Sequence, residues 1–132
     1  MRKIFAIAAI GLALLSFGGV PAMAQEAQRD AAISACSVPP VSAAACNAAI
    51  EVYVAAVKTL PARDADFALA DLINVLAVSA SPATRAVISS AITTVSESIQ
   101  NPVVQQAALQ VSAEVAAGEP ISVQVAQLAS AN

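Results

Sequence analysis

Cys36 and Cys46, ten positions apart, and the carboxylates Asp64, Asp66 and Asp71 are the residues whose types and spacing could do chemistry. In an oxidising compartment an even cysteine pair at this separation forms one disulfide. A catalytic redox pair wants C-x-x-C spacing and a depressed thiol pKa, and that spacing is absent. The expected bond closes a loop containing Val38-Pro39-Pro40 and ties the end of one helix to the start of the next. The chain-entropy model assigns roughly 2.5–3 kcal/mol to a loop this short.

The three aspartates could suggest a calcium site or an acid/base pair. On a helix Asp64 and Asp71 share a face but stand about 10 Å apart along the axis, while Asp66 points nearly opposite to Asp64. One ion cannot bridge that span without ligands from elsewhere. The expectation is therefore that Asp64 and Asp66 complement the positive end of their own helix. A neutral polar stripe, Ser89, Ser90, Thr93, Thr94, Ser96 and Ser98, with Gln105, Gln106 and Gln110 beyond it, reads as the solvated side of amphipathic helices.

Several chemistries are excluded. The chain has no histidine, so Ser-His-Asp and Cys-His arrangements cannot be built within it. Lys58 could pair with a serine, but no Ser lies three residues before it. No glycine-rich phosphate loop exists, and Gly118 is the only glycine after residue 24. No catalytic, cofactor-binding or metal set is expected, and the chain reads as non-enzymatic.

These residues follow an export signal. Arg2 and Lys3 precede an uncharged apolar run from Ile4 to about Val20, which Pro21 breaks. Ala22-Met23-Ala24 gives the small-x-small pattern of a cleavage site before Gln25. Residues 1–24 thus read as a bacterial Sec-type signal peptide, leaving no stable membrane anchor after cleavage. The expected location is the periplasm or the medium. The remainder, residues 25–132, is long enough for one domain with a single core. Its four cations, Arg29, Lys58, Arg63 and Arg85, face nine acids, a net charge of −5. That sign argues against nucleic acid or anionic lipid as a partner, because both require a basic face.

Proline punctuates this domain at 40, 61, 82, 102 and 120. Proline belongs in a helix's first turn and stops the helix before it, so the spacing predicts consecutive helices joined by short turns. Ser81-Pro82 and Asn101-Pro102 supply N-cap residues followed by Pro, while Asp64 is the expected cap after the weaker Pro61 junction. Gly118 suits a left-handed helix terminator. Three sets of apolar residues recur in steps of three and four: Cys46-Ile50-Tyr53-Val57-Leu60, Ile88-Ile92-Val95-Ile99 and Val104-Ala108-Val111-Val115. From Phe67 to Val78 apolar residues surround the helix, interrupted by Asp71 and Asn74, which predicts a central buried element. The tail Ile121-Ser-Val123-Gln-Val125 alternates like a strand but has no obvious partner strand, and a short last helix through Leu128 is expected.

The fold expectation is all-α: about five helices in a small bundle or a short stack of helical hairpins. The expected function is a non-catalytic interaction or structural role in the cell envelope, with a protein partner or self-association. The alternative is a small carrier of apolar ligands or lipids, with the Phe67–Val78 segment lining the cavity.

Overall fold

The computed structural model describes residues 22–131 and shows an all-α bundle of six helices among them. These are α1 (Ala22–Ser37), α2 (Ala43–Val57), α3 (Ala62–Ser79), α4 (Arg85–Ser96), α5 (Pro102–Ala117) and α6 (Val125–Ala131). The signal-peptide reading lies outside the described residues up to residue 21. The backbone is helical from Ala22, through the expected cleavage site.

Local chemistry starts and stops the helices much as the prolines suggest. Asn101 caps α5, its Oδ1 accepting from the N–H groups of Val103 at 2.9 Å and Val104 at 3.3 Å, with Pro102 following. Gly118 ends α5 at φ 73°. The Glu119 N–H then reaches the Glu114 carbonyl and the Gly118 N–H the Val115 carbonyl, which closes the Schellman pattern. Ser42 caps α2.

Two junctions differ from expectation. α3 begins directly after Pro61, so Asp64 sits inside its first turn and does not cap it. α4 begins at Arg85, but Ser81 opens a hydrogen-bonded turn ahead of it. The Ser81 N–H donates to Thr84 Oγ1 at 2.9 Å, and the Arg85 N–H returns to the Ser81 carbonyl at 2.8 Å. The tail resolves as irregular, non-helical chain to Gln124 followed by a helix that runs past Leu128 to Ala131.

All three apolar faces point inward. Cys46, Ile50, Tyr53 and Val57 are buried with Leu60 at their edge, as are Ile88, Ile92, Val95 and Ile99, and Val104, Ala108, Val111 and Val115. The element at the centre is α3, which packs against each of the other five helices. A linear stack would restrict each unit to its neighbours, so the architecture is a bundle. Leu69, Leu72, Ile73 and Leu76 fill its middle completely. Phe67 and Val78, expected to be buried, lie at the surface, with Val78 77% exposed.

Polar residues of α3 add specific bonds to three of these neighbours. Asp66 holds the segment entering α5, Asp71 pairs with Arg29 of α1, and Asn74 Oδ1 accepts from the Val125 N–H at the start of α6. Each fixes a different neighbour on the central helix.

Candidate functional site

The expected aspartate cluster does not form. Asp64 is exposed, Asp66 is buried, and Asp71 is half-buried on the side facing α1. Among the described residues no three Cys, Asp or Glu side chains converge as a metal site would require. Asp66 departs from the expected role of complementing its own helix. Its Oδ1 accepts the Gln100 N–H and its Oδ2 the Asn101 N–H, both at 2.9 Å. The charge therefore serves the N-terminus of α5, reached across a sequence gap of more than thirty residues. Asn101 then passes the constraint on through its own cap.

Above Asp66 lies an open cleft of about 300 Å³, lined by Arg63, Asp66, Gln100, Asn101, Val104 and Ala129 among others. Both oxygens of its one carboxylate accept from backbone N–H groups, so Asp66 bridges α3 to the segment entering α5 at the floor of this cleft. Arg63 at the rim reaches the Ser130 carbonyl at 3.5 Å, beside a second open cleft that exposes Phe67.

A second polar group lies between α1, α2 and α3. Arg29 Nη2 stands 2.8 Å from Asp71 Oδ2, and its Nη1 is 3.8 Å from Asp30. Gln28 Oε1 and Arg29 Nε are buried without hydrogen-bond partners. Tyr53 packs nearby, and burial pushes its phenol above the ordinary value, opposed by Arg29 and reinforced by Asp71. A proton bound more tightly by the folded state stabilises it below the unfolded phenol pKa, and that contribution is lost as pH rises through the folded value. Tyr53 is the only tyrosine of the chain and there is no tryptophan, so phenolate absorbance reports this site alone. The native titration midpoint should lie above that of the chain unfolded in urea. Arg29→Ala should raise it further and Asp71→Ala should lower it. Equal native and unfolded midpoints would mean the phenol is in water.

The Ser/Thr stripe is not one solvated side. Ser89 and Thr93 turn toward α5 and meet buried Ser112: Thr93 Oγ1 is 2.7 Å from Ser112 Oγ, and Ser112 Oγ donates to the Ser89 carbonyl at 2.8 Å. Ser96 is fully buried, with Gln105 Nε2 donating to its carbonyl. Small hydroxyl side chains let α4 and α5 approach closely and satisfy one another there, while Ser90 remains exposed. Gln110 reaches the Ser122 hydroxyl, and the Ser122 hydroxyl and N–H bind the Glu114 carboxylate. Those two bonds hold Glu114 below the usual carboxylate range and tie the tail to α5.

Cys36 and Cys46 form the expected disulfide, linking the last turn of α1 to the first turn of α2, with both residues fully buried. The Pro39-Pro40 peptide in the closed loop is cis. A further open cleft of about 350 Å³ runs between α2 and α4, with Ile50 and Val54 in its lining and Glu51, Lys58 and Glu97 as its charges. No helix among the described residues is long and apolar enough to cross a membrane. Compared with protein-family models, curated proteins and solved structures, the chain matches none of them.

Sequence periodicity could not reveal the roles of Asp66, Asn74 and Ser112. Asn and Asp inside an apolar helix are the available signal, because a polar group taken into a core requires a partner.

Proposed function

We propose that this protein is a non-catalytic interaction or structural component of the cell envelope, exported to the periplasm or beyond. One observation carries the reading: the side chains best suited to chemistry are engaged in holding the helices together. Asp66 binds two backbone N–H groups, Asp71 binds Arg29, and Ser89, Thr93 and Ser112 bind one another. What faces outward is mainly small apolar side chains with a sparse set of charges. The disulfide supports an oxidising compartment.

The carrier alternative draws no support from α3. Its inward residues are packed in the core, and Phe67 and Val78 point away from it.

The test is a tagged pull-down of the protein from its native envelope, with intact-mass analysis of everything that co-elutes. A stoichiometric protein partner, or a second copy, is the expected result. A stable monomer that captures nothing overturns the reading, and a co-purifying apolar small molecule would replace it with the carrier.

A further inference from the structure

A helix that is apolar all round is normally covered all round. α2 breaks that rule. Of its fifteen residues only Asn47, Glu51 and the hydroxyl of Tyr53 are polar. Its inner face meets α1, α3 and α4, but it touches neither α5 nor α6 and stands at the margin of the bundle. Ala44, Ala48 and Ala55 are exposed on its outer face, beside Val52 at 54% exposure.

The charges on this face say what covers it. Glu51 and Lys58 are both exposed, and neither has an ion-pair partner among the described residues. Lys58 follows the last helical residue in αR geometry, so it continues the helical line. Seven residues separate the two charges, which places them on one edge of the helix about 10 Å apart. At 3.6 residues per turn they share about 80° of arc with Ala44, Ala48 and Ala55.

An opposite-charge pair on a single edge is self-complementary in one arrangement only. When two copies pack antiparallel about a two-fold axis, like edges face each other, and Glu51 of each copy meets Lys58 of the other. In a parallel pair the charged edge would instead face the Val52 edge. With Glu51 opposite Lys58, the axis passes beside Ala55, where a small side chain lets the two backbones approach. Glu97, the C-cap residue of α4, lines the cleft between α2 and α4 with Glu51 and Lys58, and offers the incoming lysine a second carboxylate.

We propose that two copies of this chain associate through an antiparallel α2–α2 contact, with apolar burial supplying attraction and the Glu51–Lys58 pairs fixing direction. This rests on the interaction-protein reading above and names its partner as a second copy.

The test is sedimentation velocity on the protein expressed with its own N-terminal segment and purified as processed from the periplasm. The wild type should show a concentration-dependent monomer–dimer equilibrium. Glu51→Lys and Lys58→Glu each turn two attractive pairs repulsive and should raise Kd by about tenfold, since exposed pairs contribute up to about 1 kcal/mol each. An equimolar mixture of the two variants should form a heterodimer, and the double variant should return to within about threefold of wild type on the same pairwise arithmetic. Both positions are exposed, so unchanged circular dichroism will show that the fold is intact. A dimer that ignores these reversals overturns the α2 contact. A monomer at every concentration overturns self-pairing. If that monomer still captures a different protein, the interaction reading survives; if it captures nothing, both fall.

Discussion

Asp66→Ala should lower the unfolding free energy by about 2–4 kcal/mol, read as a fall in the urea midpoint at unchanged slope. Two backbone N–H groups, of Gln100 and Asn101, donate to one buried carboxylate at 2.9 Å each. Hydrogen bonds to a charged acceptor are worth more than neutral ones, and removing the acceptor orphans both donors. The damage spreads because Asn101 is also the cap of α5. Asp66→Asn separates charge from shape: its amide keeps one acceptor oxygen and turns an NH₂ toward the other donor. It should therefore recover only part of the loss. Asp64→Ala, two residues away but exposed, should change stability by less than about 0.5 kcal/mol. Hydrogen exchange offers a local check, with the Gln100 and Asn101 amides losing protection first. If Asp64→Ala and Asp66→Ala destabilise equally, the tertiary cap is not what Asp66 provides.

The second large effect belongs to the disulfide. Cys36→Ala/Cys46→Ala should lower stability by about 2–5 kcal/mol, of which roughly 2.5–3 is the loop-closure entropy restored to the unfolded chain. That is a substantial part of the total available to a domain of this size. The consequence should also be uneven. Apart from the disulfide, α1 is held by fully buried Ala32, half-buried Ile33 and the Arg29–Asp71 ion pair. α3, in contrast, buries Leu69, Leu72, Ile73 and Leu76 completely. Hydrogen exchange in the double variant should therefore accelerate across α1 well before α3. Uniform acceleration in every helix would show that α1 has no lower-stability opening of its own. Both sulfurs are fully buried, so a dithiol reductant should reproduce the phenotype only once denaturant opens the bundle.

The dimer proposal and the disulfide prediction meet at α2. This helix carries Cys46 on its inner face and the proposed contact on its outer one. Losing the disulfide frees one end of the loop before α2 but leaves the apolar docking of Ile50, Tyr53, Val54 and Val57. The charge-reversal series therefore probes a surface that the cysteine variants leave in place.

The sequence by itself determined that helices follow one another between the prolines, and which residues share a face, because both are local matters. The starts of α3 and α4 differed from the expected caps. Asn101-Pro102 and Gly118 act through bonds spanning a few residues, and steps of three and four place Ile88, Ile92, Val95 and Ile99 on one stripe whatever lies opposite. The cysteine pair was legible as well, since two cysteines ten positions apart leave a single pairing within the chain.

Only the tertiary structure decided which stripe is covered. α2 and the Phe67–Val78 stretch are both apolar around most of their circumference, and alanine, small enough to sit on either side, carries little directional signal. The bundle put Phe67, Val78 and the outer face of α2 at the surface, while burying Ser96 and Ser112. The polar partnerships were equally unreadable. Asp66 to Asn101, Asn74 to Val125 and Ser89 to Ser112 join residues 35, 51 and 23 positions apart. A hydrogen bond across that distance exists only once packing has brought the helices together.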